Sequence, residues 1–410
     1  MKEVVITGLG VVSPLGNDPQ TLYENLVAGI SGIKTIQRFN TDAFPVKFAG
    51  EVSNFDPLPY FDAKEVSRTS RNIQYMMHAA VTAVQAAGLT ETNFDKTRAG
   101  MILGSGIGGM EVFTQNAQAM AARGPGRVSP FFIPQSIANM ASGMVAINLG
   151  WMGPNFSTLS ACATANHAFM CAADQIRLGR ADVMLAGGAE ESVCEAALAG
   201  FANMKALSRR NDAPEKASRP FDKDRDGFVL GEGAGALVLE SLEHAQARGA
   251  KIYGKILGYG MSCDAHHISA PLESGEGVAL AIKNALKESG LTTADVPIVN
   301  CHATSTPLGD VAEVKAVKKA FGADAHKIKL MATKSMTGHL LGAASALEAV
   351  ATIMCLYNGR LHPSINVENQ EPEIDLDVIP NLAVNTNATR AMSNSFGFGG
   401  HNTCVIFEKP

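Results

Sequence analysis

Seven cysteines stand at 162, 171, 194, 263, 301, 355 and 404, and one of them has the surroundings of an activated nucleophile. The strand-like run Phe156-Ser157-Thr158-Leu159 leads into Ser160-Ala161-Cys162-Ala163-Thr164-Ala165, and a helical run follows to about Gly179. Cys162 therefore falls at or near a helix N-terminus, where free N–H groups and the helix dipole favour thiolate over thiol. Its small neighbours leave room for a substrate. The local pattern alone is equally consistent with an inert buried cysteine, because free Cys is among the most buried residue types. Two further segments point toward chemistry: Val299 to Asp310, carrying His302, and Thr333 to Ala349, carrying His339. Each follows a strand-like run and sets a histidine among Gly, Ser and Thr, the setting of a strand-end loop over a cleft. The interval from Lys334 to His339, followed at once by a small-residue helix, implies groups held rigidly by that helix.

The elements that must position these groups read as alternating strands and helices. Short apolar runs at 4–8, 99–105, 181–188, 236–240, 296–301 and 329–333 have the composition of strands buried on both faces. Helical patterns between them close on Gly88 and Gly290, as C-caps require. The alternation predicts an α/β layered fold. A charged stretch at 208–227 interrupts it and a second series begins at 229, so the chain is expected to divide near its middle. No residue-level repeat is visible, yet two α/β halves of similar size make a structural duplication a reasonable expectation.

Other constellations have weaker chemistry. Glycine clusters occur at Gly8/Gly10, Gly104/Gly106/Gly109 and Gly231/Gly233/Gly235. The second follows a strand, but no acidic residue stands about twenty positions on to hold a ribose. Close backbone packing explains these glycines better than a dinucleotide does. Asp222, Asp224, Asp226 and Gly227 imitate a calcium loop, but Gly233 occupies the twelfth position where a bidentate Glu belongs. A turn held by charge pairs is the better reading. Cys263, Asp264, His266 and His267 are spaced too densely to surround zinc and read as a loop lining a pocket.

The 410 residues carry 34 basic and 39 acidic side chains, a formal charge of −5, which disfavours general nucleic-acid binding. An odd cysteine count without a Cys-x-x-Cys pair fits a reducing compartment better than a disulfide framework. The opening MKEVVITGLGVV reads as a first strand rather than a signal peptide. No stretch is expected to cross a bilayer, since even the apolar run from Ala343 to Tyr357 contains Glu348. The expectation is a cytoplasmic protein.

Seven motifs, in order along the chain, resemble the β-ketoacyl-[acyl-carrier-protein] synthases, nearest the type II elongating condensing enzymes of the thiolase superfamily. They are VVITGLGVVSPLG at 4–16, ACATAN around Cys162, AGGAEE at 186–191, RPFDKDRDGFVLGEGAG at 219–235, NCHATSTPLGD at 300–310, TKSMTGHLLGAAS at 333–345 and NSFGFGGHN at 394–402. The resemblance covers essentially the whole chain. It implies a thiolase-like, five-layered αβαβα body of two similar halves, residues 1–250 with Cys162 and 251–410 with His302 and His339, and a homodimer.

By the same resemblance Cys162 accepts the acyl group, while His302 and His339 support decarboxylation of malonyl held on an acyl carrier protein. Two histidines suit decarboxylation; a thiolase-type partner would place a second cysteine there to abstract a proton. Backbone N–H groups of Cys162 and Phe398 would hold the oxyanion, and Phe398 would also gate the pocket. Lys334 would fix the field around the histidines with Glu348 as its acidic partner. Thr304 and Thr306, with Ser269, would face the phosphopantetheine arm, and Ile107 would floor the acyl pocket. No cofactor is implied for catalysis, although Asn300, Glu348, Ser393 and Asn394 match positions that hold a structural sodium or potassium ion in some relatives.

Acyl carrier proteins are acidic, so a docking face should be locally basic despite the overall charge. The candidates are Lys64, Arg68 and Arg71; Arg123 and Arg127; and Lys205, Arg209 and Arg210. Departures from the commonest family pattern are Cys301 and Ala303 around the first histidine, where glycine usually follows it, and His401 where threonine is frequent. Altered packing or acyl preference is expected from them rather than lost activity. The rival readings are a polyketide or type I-like ketosynthase, a dinucleotide oxidoreductase using the 104–109 glycines, and a catalytically dead partner subunit, against which Cys162 and both histidines speak.

Overall fold

The computed structural model describes residues 2–410. The apolar runs become strands because each is covered on both faces: all nine residues of Val4–Val12 and all eight of Val183–Glu190 are buried. Ten strands form one sheet: β1 (Val4–Val12), β2 (Ala99–Gly104), β3 (Asn155–Phe156), β4 (Val183–Glu190), β5 (Gly233–Ser241), β6 (Gly254–Cys263), β7 (Ile298–Asn300), β8 (Lys329–Met331), β9 (Arg390–Gly397) and β10 (His401–Glu408). Their spatial order is β8-β7-β9-β10-β6-β1-β5-β4-β2-β3.

Read outward from the centre, the two sides of this sheet are the same. On one side β1 pairs antiparallel with β5, β5 antiparallel with β4, and β4 parallel with β2, which lies parallel to β3. On the other, β6 pairs antiparallel with β10, β10 antiparallel with β9, and β9 parallel with β7, which lies parallel to β8. A short antiparallel contact of Val4, Val5 and Ile6 with Ile256, Lys255 and Gly254 joins them. The duplication is thus one of topology. It leaves no residue-level trace because ladder hydrogen bonds are made by backbone and ask only for apolar side chains.

The longest helices of the structure are α1 (Arg71–Ala86), α2 (Met110–Arg123), α3 (Thr164–Arg177), α4 (Glu276–Ser289), α5 (Pro307–Phe321) and α6 (Ala344–Asn358). Helix α1 covers the outer face of β1 and β5, α3 and α6 lie between the halves, and α4 with α5 covers β6 and β10. Alternation along the strands decides which core each residue enters. Leu237 and Leu239 of β5 enter the central core with Phe169 and Leu347, whereas Ala236 and Val238 enter the outer core with Met76 and Ala79. On β10, Val405 and Phe407 face the centre and Cys404 and Ile406 face outward. The result is the expected αβαβα stack.

Three expectations change. Strand β5 still belongs to the first side of the sheet, so the second series starts with β6 at Gly254 and not at 229. The charged stretch before it does not interrupt the packed body, and its turn is held by charge pairs as expected: Ser218, Arg219, Asp222 and Arg225 are buried, with Arg219 paired to Asp222 and Arg225 paired to Asp310 and Glu371. Residues 341–358 do reach the length and mean hydropathy, 1.3, of a membrane-crossing helix. However, 89% of that window is buried inside the protein, where α6 forms the central layer.

Candidate active site

Cys162 lies in a tight turn, Ala161–Ala163, directly ahead of α3. The turn is forced into shape: Ala161 has φ 50°, the Ser395 hydroxyl donates to the Cys162 carbonyl at 2.8 Å, and a Cβ at Gly397 would meet the Ser160 carbonyl oxygen at 2.6 Å. Glycine at 397 is what lets the end of β9 lie against the nucleophile turn. Burial pushes the Cys162 thiol up to about 12, with the Lys334 charge opposing the rise. Burial of the sulfur thus opposes the thiolate that the helix end and the Lys334 charge favour.

His302 follows β7 by two residues, and His339 follows the short helix Lys334–Thr337 that succeeds β8. The rings meet edge to face with centroids 5.2 Å apart. His339 Nε2 is 3.1 Å from the Cys162 sulfur, and its Nδ1 accepts the Leu341 N–H at 3.3 Å. The Lys334 ammonium lies 3.4 Å from His302 Nδ1 and donates to the His302 carbonyl oxygen at 2.6 Å. Since both Nδ1 atoms face donors, the partners assign both imidazoles as neutral Nε2–H tautomers. Burial and the Lys334 charge hold both pKa values well below the ordinary 6.5. The unfolded chain would protonate near 6.5, so the stability these two histidines contribute is complete above that pH and is lost as pH falls toward their folded values.

One cavity of 620 Å³ brings most of the predicted groups together: Cys162, His302, His339, Ile107, Ser269, Thr304, Thr306 and Phe398 all line it. Lys334 lies behind the wall, fully buried, with its ammonium 2.5 Å from Glu348. The Cys162 sulfur and one nitrogen of each histidine lie within 4.8 Å of one another. Asp264 and residues 269–272 also line the cavity, whereas Cys263, His266 and His267, expected there with Asp264, do not.

The sequence reading passed over three buried carboxylates. Glu313 on α5 accepts the N–H groups of His302 and Ala303 at 2.9 and 2.8 Å, fixing the first histidine loop. Asp310, one turn earlier, accepts from Ser305 and Phe221. Glu190, at the end of β4, accepts from two separate loops. The available signal was phase: Asp310 and Glu313 share a helix face with buried Val314 and Val317. Ala303, where the sequence resemblance made glycine the expected residue, has φ 34°, a left-handed conformation that costs a β-carbon about 1–2 kcal/mol. Ala303→Gly is expected to stabilise the fold by about 1 kcal/mol after glycine's own entropy cost, read as a higher thermal midpoint. A lower midpoint would mean the loop depends on the methyl group.

Of the proposed docking cations, Lys64, Arg68, Arg123, Arg127, Lys205 and Arg209 are exposed, and Lys205 stands on the cavity rim. Arg71 is a correction. It opens α1 with its guanidinium turned inward to Glu111 and Glu232, and those charges hold it firmly protonated. Arg210 is half-buried and donates to the Asp224 carbonyl.

The amino-terminal domain of β-ketoacyl synthase matches residues 1–245, and its carboxy-terminal domain matches residues 253–368. The chain is 48% identical to the chloroplastic 3-oxoacyl-[acyl-carrier-protein] synthase I of Arabidopsis thaliana, over 99% of this chain and 86% of that one. It is 47% identical to 3-oxoacyl-[acyl-carrier-protein] synthase 2 of Synechocystis, over 100% and 98%. Among solved structures, a type II polyketide ketosynthase in complex with its acyl-carrier protein superposes with a TM-score of 0.93 at 31% identity, covering 100% of this chain and 99% of that one. With both domains matched, the layered fold reproduced and nearly half its residues identical to relatives over its whole length, the chain belongs to the β-ketoacyl synthase family.

Proposed function

We propose that the cavity carries out the condensation of type II fatty-acid elongation, with Cys162 accepting the acyl group and His302 and His339 driving decarboxylation of malonyl-[acyl-carrier-protein]. The observation that carries this is the convergence of one thiol and two Nε2–H imidazoles at a single cavity. In the first half-reaction the Cys162 sulfur attacks the acyl thioester, the carrier sulfur departs, and the thiol proton ends on that sulfur. His339 donates toward sulfur, so it stabilises the anion rather than removing its proton. N–H groups of Cys162 and Phe398 are the proposed oxyanion donors.

Malonyl-carrier then enters along Ser269, Thr304 and Thr306. Its thioester oxygen takes the two imidazole N–H donors, the bond to the carboxylate breaks, and carbon dioxide leaves its electron pair on an enolate. The enolate carbon attacks the acyl carbonyl, the bond to Cys162 breaks, and 3-oxoacyl-carrier forms. The sulfur regains its proton from solvent. Ile107 floors the acyl cavity and Phe398, packed against Phe201 at 6.5 Å, gates it. A mass spectrum of enzyme mixed with acyl-carrier is expected to show the acyl mass on the Cys162 peptide; an unmodified peptide would overturn this reading.

The partner is an acyl carrier protein, docked by Lys64, Arg68, Arg127, Lys205 and Arg209, with Arg123 and Arg210 flanking. Charge reversal at Arg68 or Arg127 is expected to lower carrier-linked turnover about tenfold with little change on acyl-CoA, because a lost rim contact acts mainly through encounter. Equal losses with both donors would remove those residues from the docking face. A homodimer is supported by the edge strand β3, whose Phe156 is exposed beside Ile147, Met152 and Leu159, an apolar open edge of the kind that pairs. A cytosolic setting is supported by seven free cysteines.

The cation residues fit a small hard ion in part. Glu348 Oε2, Ser393 Oγ and Asn394 Oδ1 are buried oxygens without a hydrogen-bond partner, whereas the Asn300 side chain is already bonded to Thr333 and Thr352. Glu348, Ser393 and Asn394 would hold sodium or potassium, which would offset the buried carboxylate charge.

A further inference from the structure

Glu190 is fully buried, and no lysine or arginine bonds to its carboxylate. Four donors surround it instead. Oε1 accepts the Ser105 hydroxyl at 2.8 Å and the Ile107 N–H at 3.3 Å. Oε2 accepts the Gly106 N–H at 2.8 Å and the Gly342 N–H at 2.9 Å. Three of these donors belong to the loop after β2 that carries Ile107. The fourth belongs to the turn Leu341–Ala343, which carries His339's own Nδ1 donor, the Leu341 N–H.

The two loops touch through backbone. A Cβ at Gly342 would lie 2.2 Å from the Gly106 nitrogen and 2.7 Å from Glu190 Oε2, and one at Gly106 would lie 2.7 Å from the same oxygen. Nothing between them can flex to absorb a shift. Leu341, held at φ 48°, lines the cavity together with Ile107. An acyl chain that displaces Ile107 therefore pulls on a carboxylate that also holds the His339 turn.

We propose that Glu190 is a positioning residue that couples the floor of the acyl cavity to His339, so that filling the cavity sets the placement of the imidazole that supports decarboxylation. The inference rests on the roles proposed above for Cys162 and His339. Coupling requires an element that both sites bias, and the carboxylate shared by the two glycine-apposed loops bonds to both sites at once. Burial raises the Glu190 carboxyl to about 7, the four donors opposing the rise.

The test is carbon dioxide release from malonyl-carrier by full-length enzyme whose Cys162 is alkylated with N-alkyl iodoacetamides of short or long chain. In the wild type the rate is expected to depend on alkyl length. Glu190→Gln keeps the shape but sets an amide donor against existing donors, and is expected to change the long-to-short rate ratio about fivefold or more. Ser105→Ala removes a single donor and should move the ratio in the same direction by less; it carries the test if Glu190→Gln does not fold. A purely structural role would lower all rates by one factor. An unchanged ratio in a folded variant overturns the coupling. Failure of the alkylated wild type to release any carbon dioxide would instead overturn the histidine assignment, and the coupling with it.

Discussion

Cys162→Ala is expected to abolish condensation, by about 10⁴-fold or more, while malonyl-carrier still loses carbon dioxide. The split follows from how the site is built. Among the described residues the Cys162 sulfur is the one thiol lining the cavity, and it lies 3.1 Å from His339. The two imidazoles, by contrast, take their tautomers from Lys334 and the Leu341 N–H, and neither donor touches the cysteine. Deleting the sulfur leaves both N–H donors aimed at the cavity. Carbon dioxide release and 3-oxoacyl product are measured in the same reaction; parallel loss of both would mean that decarboxylation needs the sulfur itself.

Lys334→Met carries the second large effect, and it divides stability from chemistry. Lys334 and Glu348 form a pair with about 2% exposure on each side chain, so removing one partner strands the other charge away from water. The expected cost is about 3–5 kcal/mol, whereas replacing both, as Lys334→Met with Glu348→Gln, should recover most of it. Activity should not recover. His302 Nδ1 has then lost its donor and the ring is free to turn its proton away from the cavity, at a cost of about 100-fold in decarboxylation, the scale of one oxyanion donor. Imidazole ¹⁵N resonances supply the direct check. In the wild type both rings should remain neutral Nε2–H tautomers from pH 8 down to 6, and in the double variant His302 should report a mixture. A double variant with full activity would show that Lys334 serves the fold alone.

Much of this was legible in the sequence, and the limits have physical causes. Strands buried on both faces print as apolar runs, so β1, β2, β4 and β5 could be read directly; β3, two residues at an open edge, offered only the longer run 156–159 as a false extent. Cys162, His302 and His339 stood out as reactive types among small residues at strand ends. That they converge is a property of the pseudo-symmetric sheet, which no spacing along the chain encodes. The carboxylates Glu190, Asp310 and Glu313 were missed because a charged letter looks the same whether it meets water or a set of buried N–H and O–H donors. Arg71 failed in the opposite sense: it follows two exposed cations in sequence, but as the first residue of α1 it is turned toward Glu232.

The central helix α6 has a consequence for how the protein is made. It is the most apolar long segment of the chain, and it is emitted by the ribosome before β9 and β10 exist to cover it. Strand β10, the last to emerge, is the one that joins β6 to β9. Until it arrives, the second side of the sheet is open and a membrane-like helix faces water unprotected. Synthesis of this protein thus passes through a late interval in which chaperone capture competes with aggregation, and loss of the final strand would turn that interval into the end state.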